Sequence, residues 1–133
     1  MPEANLNIRV SPVNGIASII EFEGELTAFA EQMLMDAYTA ASTPGTRAIL
    51  LNFSCLEYMN SGGIGLIVTL LIRVTRQKQK LLAYGLSEHY RHIFRLTRLT
   101  DAIEIHASER EAIMALRALP GVTETRAHAQ GRR

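Results

Sequence analysis

Four consecutive apolar positions, Ala48-Ile49-Leu50-Leu51, stand near the middle of the 133-residue chain, with Phe53 two places on. Such unbroken apolarity, bounded by turn residues, predicts a central parallel strand over residues 47–53, buried on both faces. Upstream, Asn14-Gly15 separates two strand-like stretches, residues 5–10 and 16–23. Asn-Gly suits a tight hairpin turn, so the pair predicts a short edge strand followed by an inner strand that Gly24 ends. From Thr27 the period changes to that of a helix, because Phe29, Ala30, Met33, Leu34, Ala37 and Tyr38 recur on one side among Glu31, Gln32 and Asp36. This predicts a helix over 27–41, stopped by Pro44-Gly45. A second helix, capped by Asn60 or Ser61, extends to about residue 79. Its inner half is apolar nearly all round, and Arg73 and Arg76 sit near its negative end.

The remainder repeats the alternation. Residues 80–84 predict a fourth strand ended by Gly85, and Ser87 opens a helix over 88–96. Residues 97–100 read as a turn and 102–106 as a short strand. Ser108-Glu109-Arg110-Glu111 is a capping box before a last helix over 112–119. A hairpin followed by strand, helix, strand, helix predicts an α/β fold, a mixed β-sheet with crossover helices packed against it. One domain is expected over residues 1–119, with 120–133 a flexible tail poor in apolar bulk.

Composition narrows the function. With 47% apolar and 20% charged residues the chain is globular, and a net charge of +1 provides no basic face for nucleic acid. The single cysteine, Cys55, cannot form an internal disulfide; packing beside a strand is its expected role, and a reducing cytoplasm is the expected compartment. Residues 1–7 are polar and do not read as a secretion signal. The longest apolar run, 64–72, would rise only about 14 Å as a helix, far short of a bilayer core of roughly 30 Å, so a buried core helix is expected and no membrane span.

The catalytic motifs fail one by one. Gly63-Ile64-Gly65 begins a dinucleotide fingerprint, but Val68 stands where the third glycine belongs; no phosphate-gripping Gly-Lys-Ser/Thr loop occurs. Met59 stands where a nucleophile elbow around Ser61 needs glycine. His89 and His92 share a helical face without further metal ligands and are expected in solvent, with His106 at a strand end. No enzyme, cofactor or metal is expected.

Ser61 remains. It lies where an apolar strand turns into an apolar helix, and the first turn of a helix offers unpaired N–H groups and a positive dipole end that stabilise a phosphate. The stretch Leu51-Asn52-Phe53-Ser54-Cys55-Leu56-Glu57-Tyr58-Met59-Asn60-Ser61-Gly62-Gly63-Ile64-Gly65 resembles the signature of the STAS family, found in bacterial anti-sigma factor antagonists and sulfate-transporter tails. Gly24-Glu25-Leu26, Lys80-Leu81-Leu82-Ala83-Tyr84-Gly85 and the segment from Ile93 to Ile103 extend the resemblance over most of the chain, with Arg98 where glycine is common.

The resemblance implies a STAS fold and a regulator that works by binding. It points to an antagonist whose Ser61 accepts phosphate from a kinase-type anti-sigma factor, with a phosphatase restoring the complex. The implied partner-binding surface comprises Thr27, Tyr58, Met59, Asn60, Ser61, Gly62 and Gly63. In the family's phosphorylated pattern Asn60 is aspartate, Gly62 is serine or threonine, and Thr27 is commonly aspartate. Their absence makes the region less acidic, and Gly62 is expected to open the helix N–H groups to approach. A non-phosphorylated scaffold of a stressosome-like assembly, a small-ligand or anion-binding module, and weak self-association are the alternatives.

Overall fold

The computed structural model describes residues 5–119; the expected tail at 120–133 and the first four residues lie outside them. Five strands form one sheet in the order β1-β2-β3-β4-β5. β1 (Leu6–Asn14) runs antiparallel to β2 (Ala17–Leu26), whereas β3 (Ala48–Met59), β4 (Lys80–Tyr84) and β5 (Glu104–His106) continue the sheet in parallel. The hairpin turns at Asn14-Gly15, where the Asn14 side chain accepts the Ile16 N–H at 2.8 Å. Helices α1 (Glu31–Ala41), α2 (Ser61–Arg76) and α3 (Glu88–Leu96) fill the connections from β2 to β5, and α4 (Glu109–Ala115) follows β5. The mixed sheet with crossover helices is the expected architecture.

Alternation along β3 splits the core. Ile49, Leu51 and Phe53 join the cluster that also contains Leu34 of α1, Ile67 and Leu70 of α2 and Phe94 of α3. Here Phe22 and Phe53 stack with ring centroids 5.0 Å apart, and Phe94 meets Phe53 edge-on at 6.1 Å. The alternate residues Ala48 and Leu50 pack with Leu82 and Tyr84 against Ala112 and Leu116 near the C-terminus. A strand covered on both faces needs apolar residues at every position, which is why its sequence is continuous rather than alternating.

Three strands outrun their expected ends, β1 by running on to Asn14 at the hairpin. β2 passes through Gly24 to Leu26, and Gly24 has a φ of +112°, with the Glu25 N–H bonded to the Asn5 carbonyl at 2.8 Å. This glycine is a register irregularity within the strand rather than its stop, since its left-handed φ re-aims the chain without ending the pairing. This end of β2 pairs with the extension of β3 beyond residue 53, Gly24 with Leu56, Glu25 with Tyr58 and Leu26 with Met59. Cys55 lies in this extension and is exposed, not packed as expected. α2 is likewise buried on one side only, through Leu66, Ile67, Leu70 and Val74, while Val68 and Ile72 remain 38% and 48% exposed. Ala28–Ala30 make a 3-10 turn capped by Thr27, whose side chain accepts the Phe29 N–H, before α1 begins at Glu31. Tighter geometry also ends α4 at Ala115, with residues 116–118 in 3-10 form.

Candidate functional site

The parallel register of β2 and β3 sets Glu25 opposite Tyr58 and Leu26 opposite Met59. The two chains therefore leave the sheet side by side, Thr27 from one and Asn60 from the other, at the C-terminal ends of parallel strands. Pairing, not sequence proximity, brings these segments together. The Asn60 N–H reaches the Leu26 carbonyl at 3.4 Å, and on the other flank the Met59 N–H donates to the Tyr90 hydroxyl of α3 at 2.9 Å.

Asn60, not Ser61, is the N-cap of α2. Its backbone is extended, its side-chain oxygen accepts the Gly63 N–H at 2.9 Å, and its carbonyl accepts the Ile64 N–H at 3.0 Å. Ser61 is the first helical residue and is exposed. With the cap supplied by its neighbour, its hydroxyl has no structural bond to keep among the described residues. The N–H groups of Ser61 and Gly62 carry no protein acceptor there either, so the positive end of the helix remains open beside that hydroxyl.

The glycines serve packing. A Cβ on Gly63 would overlap the Leu26 carbonyl oxygen, and one on Gly62 would lie 2.9 Å from the Ala28 Cβ and 3.0 Å from its nitrogen. Gly62 therefore does not open the helix start to approach as expected; the Ala28 turn occupies that side. Gly65 differs from both in facing open space, with no neighbour within 4 Å of the place a Cβ would take.

Of the expected surface, Ser61, Asn60, Gly62, Thr27 and Tyr58 retain exposure, and Tyr58 is 48% exposed. Met59 and Gly63 do not belong to it: Met59 is 3% exposed, within the core cluster, and Gly63 is buried. Alternation along β3 turns Met59 inward once Tyr58 turns outward. Sequence reading missed Phe29, which looks like a core-facing position of the first helix but lies in the 3-10 turn beside Thr27 and is 64% exposed. It also missed an outer ridge of α2, where Gly65, Val68 and Ile72 follow Ser61 at helical spacing. A stricter comparison of the helix faces could have found this ridge, because Leu66, Ile67, Leu70 and Val74 already complete a core face.

His89 and His92 are exposed as expected, and His106 ends β5, 3.3 Å from Glu104. Among the described residues no group of three metal-ligating side chains gathers, and no helix is long and apolar enough to cross a membrane.

The sequence profile of the STAS domain matches residues 7–112, taking in the ends of β2 and β3, the Ser61 turn and all of the sheet but Leu6. The chain belongs to the STAS domain family. It is 28% identical over 102 residues to the anti-sigma-B factor antagonist of Staphylococcus aureus, a match covering 77% of this chain and 94% of that protein. It is 26% identical over 102 residues, with the same coverage, to the anti-sigma-B factor antagonist of Staphylococcus epidermidis. Its fold is similar to that of an anti-sigma factor antagonist from Mycobacterium paratuberculosis, with a TM-score of 0.73 at 18% identity over 87% of this chain and 99% of that one. It is similar also to the phosphorylated form of the Bacillus cell fate determinant SpoIIAA, with a TM-score of 0.66 at 24% identity over 84% and 100% of the two chains.

Proposed function

We propose that this STAS protein is an anti-sigma factor antagonist, binding a kinase-type anti-sigma factor through the surface around Ser61 and releasing it when Ser61 is phosphorylated. The supporting observation is the exposed Ser61 hydroxyl at the first position of α2, relieved of capping by Asn60. In the proposed step the partner kinase transfers the terminal phosphoryl group of ATP to the Ser61 oxygen, ADP leaves, and the hydroxyl proton passes to a base. Asn60 carries an amide that cannot take that proton, so the kinase supplies the base. The product phosphate gains from the free N–H groups of Ser61 and Gly62, and it places nearly two negative charges in a surface that must be desolvated for binding. A few kcal/mol of lost interface energy is enough to exchange partners. Phe29 and Tyr58 are the large exposed side chains suited to anchoring the complex. A phosphatase that removes the group resets the cycle.

The experiment is phosphopeptide mapping after incubation with the cognate kinase and ATP, combined with binding measurements. Ser61→Ala is expected to keep binding and to lose modification; Ser61→Asp is expected to weaken binding while changing stability by less than about 0.5 kcal/mol, because an acidic residue in the first turn suits the dipole. Modification elsewhere, or nowhere with an active kinase, overturns the switch. It then favours a non-phosphorylated scaffold, a reading supported by Asn60 and Gly62 both being taken up in capping and packing.

A further inference from the structure

At the opposite end of α2, about 18 Å along the helix from Ser61, a groove of about 600 Å³ separates α2 from the end of α1. Its walls include Tyr38, Ser42, Thr69, Ile72, Arg73 and Arg76, with no carboxylate among the lining residues. Two arginines sharing a groove without a counter-charge repel each other, and such an arrangement is stabilised by a bound anion.

Both cations are free to serve. Neither Arg73 nor Arg76 has a carboxylate within ion-pairing distance among the described residues. Arg73 is nonetheless held in place: its guanidinium carbon lies 5.7 Å from the centre of the Tyr38 ring, and one of its terminal nitrogens lies 3.5 Å from the Met35 sulfur. Those contacts fix the guanidinium plane and leave its remaining N–H groups to an incoming acceptor.

Behind the groove sits a buried polar relay. Tyr38 donates its hydroxyl to the Gln79 side-chain oxygen Oε1 at 2.7 Å, and the Gln79 side-chain Nε2 donates to the Ser42 hydroxyl oxygen at 2.8 Å and to the Thr46 main-chain carbonyl at 3.3 Å. Gln79 is 8% exposed, so its orientation is set by these partners. The Ser42 hydroxyl accepts from Gln79 and donates to no acceptor among the described residues, so its proton can be donated into the groove. The helix ends themselves oppose an anion by roughly half a charge each, but the carbonyls of Arg73, Val74 and Thr75 are bonded to the N–H groups of Gln77, Gln79 and Lys78, and that of Tyr38 to Ser42. Two full guanidinium charges outweigh what remains.

We infer that this groove binds the phosphate group of a small soluble phosphate monoester, held by Arg73, Arg76 and the Ser42 hydroxyl, with the organic part lying on Ile72. Bidentate guanidinium contacts suit the tetrahedral oxygens of such a group, and Ile72, 48% exposed, provides an apolar shelf beside them. The site is independent of Ser61, whose modification it neither needs nor predicts.

The test is titration of the isotope-labelled full chain, followed by amide NMR shifts, with inorganic phosphate and with adenosine monophosphate, each against sodium chloride at matched ionic strength. Saturable shifts centred on residues 38–42 and 72–77 are expected, the same in a Ser61→Ala background, with adenosine monophosphate binding more tightly than phosphate. Arg76→Gln, an exposed position, is expected to weaken binding at least tenfold, and Ser42→Ala about threefold. Shifts no larger than those in chloride, shifts centred on residues 61–64, or unchanged affinity in Arg76→Gln would overturn the inference. So would binding to vesicles containing phosphatidic acid without binding to either soluble probe.

Discussion

Asn60 accepts the Gly63 N–H at 2.9 Å and so satisfies one of the donors that a helix start leaves open. Asn60→Ala is expected to cost about 1 kcal/mol in chemical denaturation, whereas Asn60→Asp preserves the cap and is expected to cost nothing measurable. The two variants separate capping from switching, because only the aspartate adds a potential proton acceptor next to Ser61; it is expected to raise the phosphorylation rate with little change in affinity for the kinase. Gly62 acts differently. A side chain there meets Ala28, so Gly62→Ser is expected to destabilise by about 1–3 kcal/mol, with partial recovery in the Gly62→Ser, Ala28→Gly double variant measured by thermal melting. The lack of a hydroxyl at this position is thus matched by the neighbouring turn, a pairing invisible while residues 28 and 62 are far apart in sequence.

Among the elements, the α3 to β5 connection shows how local conformation can be read from an unusual residue. Arg98 stands where the family commonly has glycine, and it adopts a left-handed φ of 65° between α3 and the 3-10 turn Leu99–Asp101. An arginine Cβ makes that conformation costly, while its ion pair with Asp101 at 2.8 Å is exposed and contributes little. Arg98→Gly is therefore expected to stabilise by about 0.5–1 kcal/mol, readable as a higher denaturation midpoint with an unchanged slope. β4 and α3 begin and end where their sequence signals place them, since Gly85 and Ser87 punctuate them locally. The ends of β2 and β3 could not be read in that way, because each extension is held by its partner strand rather than by its own residues.

At the scale of the whole molecule, the two sides of the sheet differ in chemistry. On the side of α4, Tyr84 is 2% exposed and donates its hydroxyl to Glu109 at 2.7 Å. Burial, then that hydrogen bond, then the charges of Glu109 and Glu21 push the phenol well above its ordinary value of 10.0. The sign follows: above about pH 10 the unfolded chain loses this proton while the folded chain retains it, so the stabilisation is complete below that pH and declines above it. Urea denaturation at pH 7 and between pH 10 and 11.5 is expected to show this alkaline loss, and Tyr84→Phe is expected to reduce it.

The order of strands and helices, the hairpin at Asn14-Gly15, the burial of Ala48-Ile49-Leu50-Leu51 and the strand-to-helix turn at Ser61 were legible because each depends on local period and turn chemistry. Tertiary structure alone decided the rest. Asn60 rather than Ser61 capped α2, since both residue types are good caps and only the path off β3 selects one. Met59 turned inward and Phe29 outward, because strand pleat and a 3-10 turn, not hydrophobicity, set their directions. Parallel pairing of β2 with β3 then brought Thr27 beside Asn60, a juxtaposition that depends on hydrogen-bond register between distant segments and has no local signal in the chain.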